Sequence, residues 1–202
     1  MIGFIRHGQT TWNLSGRIQG TIDAPLTVWG AAAVRAYAAA AALANLQVIW
    51  SSPLQRASQT AHILAQTLGS GQVGQVIEVR LLAALTERNY GVYQGQRLSA
   101  LQNSPLFAAA EHELSGRGVE DWPLLTRRVK QALGVIAAGP APSLVVVHGG
   151  WMKALQALLE TGLERENGEN LSLVWMDRKT LLKQISDSAR FIPSDGRINY
   201  GN

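Results

Sequence analysis

The sequence predicts an α/β fold, a three-layer α/β/α sandwich around a mostly parallel central sheet. Three observations predict it. Short apolar runs alternate with helical stretches along most of the chain. The run SLVVVH (143–148) is apolar almost throughout, as expected of a strand buried on both faces. Two apolar runs also end in polar nitrogen side chains rather than in turn residues. Arg6 and His7 end the first, and His148 ends another.

The elements follow in order. MIGFI (1–5) reads as a strand. Residues 27–46 lack proline and are rich in alanine, which predicts a helix able to lie close to a sheet. QVIWS (47–51) is a strand. The next helix covers 51–68, with Ser52 as N-cap, Pro53 in the first turn, and Leu54, Ala57, Ala61, Leu64 and Leu68 at helical spacing. A glycine-rich loop (69–74) precedes a strand at 75–82. Residues 86–120 form an irregular, cap-like excursion with a weak helical pattern from Leu98 to Glu113. Residues 121–138 and 151–160 are helices flanking the 143–148 strand. LSLVWMD (171–177) and TLLKQIS (180–186) read as a terminal hairpin, and a polar tail follows Asp187. All of this fits one domain spanning 1–202.

Composition narrows the function classes. The chain is 47% apolar and 16% charged, enough to bury a core. It has no cysteine, hence no disulfide, thiolate nucleophile or cysteine-bound metal. No signal-peptide pattern follows Met1 and no run reaches membrane-spanning length, so a cytoplasmic protein with no membrane partner is expected. The net charge is +4, from 18 Lys+Arg against 14 Asp+Glu. Its one dense cluster, RRVK (127–130), reads as a solvated helix face, and no basic stripe interleaves with aromatics. No nucleic-acid partner is expected; a small anionic substrate fits better. His62 and His112 read as satisfied polar groups. Asp23 and Thr27 read as turn and cap residues, and Trp50 and Trp175 as core.

In open α/β sheets ligands bind beyond the carboxyl ends of the strands. Arg6, His7 and His148 converge there, with Arg56 in the first turn of the helix after the second strand. Two histidines followed by glycine and two arginines make an anion site. Guanidiniums grip phosphate oxygens in pairs and helix N-termini add amide donors. Neighbouring cations favour the neutral imidazole, which is a nucleophile. They would also neutralise a transferring phosphoryl group, so neither a metal nor a cofactor is called for.

The blocks RHGQTTWN, GRIQGTIDAPLT, SSPLQRASQTA, LTERNYGVYQG and VVVHGG resemble, in order and spacing, the phosphoglycerate mutase-like branch of the histidine phosphatase superfamily. The resemblance implies a phosphohistidine enzyme. His7 would be its nucleophile, Arg6, Arg56 and His148 would hold the phosphoryl group, and Glu87 would be the proton donor. Asn13 and the Gln19–Gly20 amides would contact the phosphoryl group or substrate, with Arg88, Tyr90 and Gly149 as further substrate contacts. Chemistry demands such an acid, since an alkoxide leaves poorly near neutral pH, but residue types alone do not single out Glu87. Gln94 stands where phosphatase-like members usually carry a glutamate, and the Glu87–Gly95 block leans toward the mutases. The short 97–120 segment lacks the mutases' arginine- and proline-rich insertion. The expectation is therefore a metal-independent phosphomonoesterase acting on a small phosphorylated metabolite. The alternatives are a cofactor-dependent phosphoglycerate mutase and a non-catalytic phospho-ligand-binding relative. A homodimer is compatible with the sequence.

Overall fold

The computed structural model describes residues 1–40, 43, 45–70, 76–101, 104, 106, 111–159 and 169–187. A five-stranded sheet forms its centre, built from β1 (Ile2–Arg6), β2 (Val48–Ser51), β3 (Glu78–Leu81), β4 (Ser143–Val147) and β5 (Leu173–Met176). The strand order is β3-β2-β4-β1-β5. The pairs β1–β4, β4–β2 and β2–β3 are parallel, and only β5 runs antiparallel, beside β1. The helices are α1 (Thr11–Leu14), α2 (Val28–Ala40), α3 (Gln55–Ser70), α4 (Glu111–Ser115), α5 (Trp122–Ala138), α6 (Gly149–Leu159) and α7 (Arg178–Asp187).

The period-two alternation of the central strands divides the core into two layers. Phe4, Trp50, Val145 and Val147 face α5, α6 and α7, where Leu133, Ile136, Trp151 and Leu155 fill the space. Ile5, Ile49, Leu144 and Val146 face α2 and α3, meeting Val34, Ala38, Ala57, Ala61 and Leu64. A third, small cluster of Tyr93, Leu101, Leu106, Leu114 and Val119 packs beneath the irregular excursion. Among the described residues no helix is long and apolar enough to cross a membrane.

The small residues of α2 serve close approach. A Cβ on Gly30 would lie 2.2 Å from the Gln9 carbonyl oxygen, so only glycine lets this helix touch the loop after β1. Thr27 caps α2, its hydroxyl accepting from Gly30 N at 2.8 Å.

Several expectations need correction. Residues 180–186 are not a strand but belong to α7. Asp177 caps this helix by accepting from Lys179 N (2.9 Å) and Thr180 N (3.0 Å), and Leu181 and Ile185, four residues apart, pack on the core. The start of α3 is capped from a distance, since Asp23 Oδ2 accepts from Gln55 N at 2.8 Å. Ser52 Oγ accepts from Leu54 N just ahead of the helix. Trp50 is core, but Trp175 lies on the edge strand over Gly3 and stays 36% exposed. Of the loop expected at 69–74, Gly69 and Ser70 instead form the last residues of α3, and 71–74 lie outside the described residues, as do the His112 side chain and the tail from 188.

Candidate active site

Strand register builds the site. Arg6 pairs with Val147 across β1 and β4, and His7 N donates to Val147 O at 3.0 Å, so His7 and His148 leave the sheet side by side. Their ring centroids are 5.1 Å apart, and both side chains are buried.

His7 has a defined tautomer. Its Nδ1 lies 2.8 Å from the Gly8 carbonyl oxygen, which can only accept, so Nδ1 carries the hydrogen and Nε2 keeps its lone pair. Arg56 Nε points at that lone pair from 3.3 Å. Burial, then the Arg56 and Arg6 charges, hold His7 well below the ordinary imidazole range, against a weaker opposing effect of the Gly8 hydrogen bond. A buried neutral imidazole with Nε2 exposed to a ligand is a competent nucleophile.

Arg56, on the first turn of α3, is fixed by its other nitrogens. Nη1 donates to Ile22 O (3.0 Å) and Asp23 Oδ1 (3.2 Å), and Nη2 donates to Gly20 O (2.6 Å). Gly20 takes a left-handed backbone (φ 59°), and the loop is held from below by Gln94 Oε1, which accepts from Thr21 N at 2.7 Å. Thr60 ties the nucleophile loop to α3, accepting from Gly8 N (3.0 Å) while donating to Arg56 O (2.7 Å).

His148 is held well below the usual imidazole range by burial first, then by Arg56, His7, Arg6 and Arg128. Neither ring nitrogen has a hydrogen-bond partner among the described residues, and the same holds for Arg6 Nε and Gln19 Oε1. Buried polar atoms normally find partners, so the Arg6 and His148 atoms left open together at the ends of β1 and β4 mark a site shaped for a polar ligand. Gly149 lies beside the Arg6 guanidinium.

Glu87 approaches from the excursion and meets the first turn of α6. Its carboxylate accepts from Gly150 N (3.0 Å), Trp151 N (3.0 Å) and Arg88 N (2.8 Å). The amides of α6 thus hold a carboxylate of the chain itself, as the helix dipole favours. A Cβ on Gly150 would fall 2.6 Å from Glu87 Oε1 and 2.8 Å from the Tyr90 hydroxyl, which explains the second glycine of VVVHGG and places Tyr90 beside Glu87.

The structure therefore gathers Arg6, His7, Arg56, Glu87, His148, Gln19, Gly20, Tyr90 and Gly149 at one edge. Arg88 and Asn13 are engaged elsewhere. Arg88 is buried, donates from Nε to Glu120 O (2.8 Å) and lies over the Trp122 ring (5.5 Å). Asn13 Oδ1 closes a capping box with Thr10 at 3.0 Å, leaving its Nδ2 as the side-chain donor. Arg17 donates to Gly95 O at 2.6 Å. Trp151 is core, stacked on Phe4, and Trp122 is buried.

Sequence reasoning missed Asn170, whose Nδ2 donates to His7 O at 2.7 Å, and Lys153 on α6. Burial lowers the Lys153 amine, while Glu87 opposes this and Arg6 adds to it, so the group feels the site's charges. The RRVK cluster is not one solvated face. Arg128 turns inward to the backbone at Glu87. A strand-end histidine announces itself, but an asparagine far along the chain carries no local signal.

A family model for the histidine phosphatase superfamily, branch 1, matches residues 2–182. The chain belongs to this superfamily. Within the histidine phosphatases it is 32% identical over 164 residues to the metal-independent phosphoserine phosphatase of Arabidopsis thaliana, covering 76% of this chain and 66% of that protein. It is 31% identical over 196 residues to the probable phosphoglycerate mutase GpmB of Salmonella paratyphi A, covering 91% and 81%. Among solved structures, a mycobacterial glucosyl-3-phosphoglycerate phosphatase with bound VO3 superposes with a TM-score of 0.65 at 26% identity, covering 85% of this chain and 88% of that one. That superposition shows that the solved structure shares the overall fold described here.

Proposed function

We propose that this chain is a metal-independent phosphomonoester hydrolase acting through a phosphohistidine on a small phosphorylated metabolite. The observation that carries the reading is the His7 tautomer, with Nδ1–H bound to Gly8 O and the Nε2 lone pair directed into a pocket of cations. The phosphatase names and the phrase metal-independent among the relatives support it.

In the first half-reaction His7 Nε2 attacks phosphorus, and the bond to the substrate's bridging oxygen breaks. Glu87 gives that oxygen its proton. Arg56 Nε–H, which faces Nε2 in the free protein, turns to a phosphoryl oxygen, since one lone pair cannot serve both. Arg6 Nε and a ring nitrogen of His148 take up the remaining oxygens, aided by Asn13 Nδ2 and the Gln19–Gly20 segment. In the second half Glu87 accepts a proton from water, whose oxygen attacks phosphorus. The N–P bond breaks and inorganic phosphate leaves. Tyr90 and Gly149 border the leaving group. A cytoplasmic location and a homodimer complete the reading.

The mutase alternative keeps the first half and replaces water by a phosphoglycerate hydroxyl. The extended identity to a probable phosphoglycerate mutase favours keeping it in the test. Rapid quench with labelled substrate decides between them. Hydrolysis predicts label passing from protein to inorganic phosphate. Label passing faster to 2- or 3-phosphoglycerate than to water would replace the hydrolase reading with the mutase one.

A further inference from the structure

Glu87 is held from two sides. The amides of α6 fix its carboxylate, and the backbone leading into it is fixed by Arg128 on α5. Arg128 Nη1 donates to Ala84 O (3.1 Å) and Thr86 O (2.5 Å), and Nη2 reaches Glu87 O (3.4 Å). Trp151, which holds the carboxylate by its amide, also donates from its indole to Ala84 O at 3.0 Å, so both supports share a carbonyl.

Arg128 is itself seated by Glu120. The pair is bidentate, Nε to Oε1 at 3.0 Å and Nη2 to Oε2 at 2.8 Å. Glu120 Oε2 also accepts from Asn89 N (3.2 Å), its carbonyl accepts from Arg88 Nε (2.8 Å), and its amide donates to Asn89 O (2.8 Å). One ion pair thus grips the chain on both sides of Glu87. Packing of α5 rests on other residues, namely Leu125, Val129 and Leu133.

We propose that Arg128, seated by Glu120, is a positioning residue that aims the Glu87 carboxyl for proton transfer to the leaving oxygen. This rests on the reading of Glu87 as the acid. The planar guanidinium is suited to the task because it bridges three carbonyls and a carboxylate at fixed angles, which an ammonium cannot. Small misplacements of a catalytic group are costly, up to about a hundredfold for about 1 Å.

The test compares Arg128→Met, Arg128→Lys and Glu120→Gln on an alkyl phosphate, which needs a protonated leaving oxygen, and on nitrophenyl phosphate, which does not. Arg128→Met is expected to lower alkyl turnover about tenfold or more and nitrophenyl turnover less than about threefold. Added to Glu87→Gln, it should cost less than about twofold on either substrate, because the aimed group is already gone. Amide hydrogen exchange at Gly150 and Trp151 should accelerate while β4 stays protected. Arg128→Lys and Glu120→Gln should show the same selectivity more mildly, and they serve if Arg128→Met does not fold. Equal losses on both substrates, full additivity with Glu87→Gln, or unchanged exchange would overturn the inference and leave Glu87 as the acid. An unchanged alkyl-to-nitrophenyl ratio in Glu87→Gln alone would overturn the acid assignment itself, and this inference with it.

Discussion

His7 and His148 are buried imidazoles pushed below their ordinary range, and the sign of that shift has two outcomes. Protonation of the folded protein is displaced to lower pH, so turnover should show no loss near pH 6.5 from His7 charging. Stability moves the other way. Below about 6.5 the unfolded chain binds protons that the native chain refuses, so stability falls as pH drops from there toward the depressed native values. Each histidine contributes up to about 1.4 kcal/mol per pH unit in that window. Urea midpoints at pH 7.5 and 5.5 should therefore separate more in the wild type than in His148→Leu, and equal separations would contradict the assignment. His7→Ala should lower turnover of an aryl phosphate at least about a thousandfold, about 4 kcal/mol in barrier, with the circular-dichroism spectrum retained.

At the scale of elements, α2 matters because, with α3, it braces the loop that carries the nucleophile. Thr60 on α3 holds Gly8 N, and on the α2 side Gln9 O lies where a Gly30 Cβ would be. Gly30→Ala should push helix and loop apart, costing about 1–3 kcal/mol and lowering turnover together with stability. Gly134 on α5 supplies the control. It is exposed, a Cβ there meets nothing within 4 Å, and Gly134→Ala should add about 0.5–1 kcal/mol. Chemical denaturation of the two variants measures the contrast. The misreading of 180–186 belongs at this scale too. Seven residues with apolar positions close together fit a short strand as well as two helical turns. The cap at Asp177, with Leu181 and Ile185 one turn apart, was the signal that should have prevailed.

For the molecule as a whole, layer order and the edge that carries the site were legible because burial has a period. Five strands, four of them with apolar runs, could be placed, and polar residues ending such runs stood out. Matching blocks then pointed to Glu87. What periodicity does not report is where a long polar side chain goes once its helix is docked. Arg128 looked like part of a solvated face, yet it reaches carbonyls more than forty positions earlier in the chain. Asn170 reaches His7 O from the opposite end of the chain, and Asn13 directs its oxygen to Thr10 for capping. Each of these depends on tertiary geometry, which one linear pattern does not encode.

The His148 ring and Arg6 Nε, which have no hydrogen-bond partner among the described residues, also make the folded state a reporter of its own ligand. Desolvated donors without partners cost about 1–3 kcal/mol apiece, and an oxyanion that accepts from Arg6 Nε–H and from the His148 ring N–H returns that free energy to the native state alone. Inorganic phosphate or vanadate at about a hundred times its dissociation constant should stabilise the protein by about 2.7 kcal/mol, roughly 5–11 °C in melting temperature. His148→Leu should respond far less to the anion; an equal rise in wild type and variant would place the anion elsewhere. Melting curves can then rank phosphorylated metabolites by their fit even when turnover is too slow to follow, so the search for the natural substrate can proceed by heat instead of by catalysis.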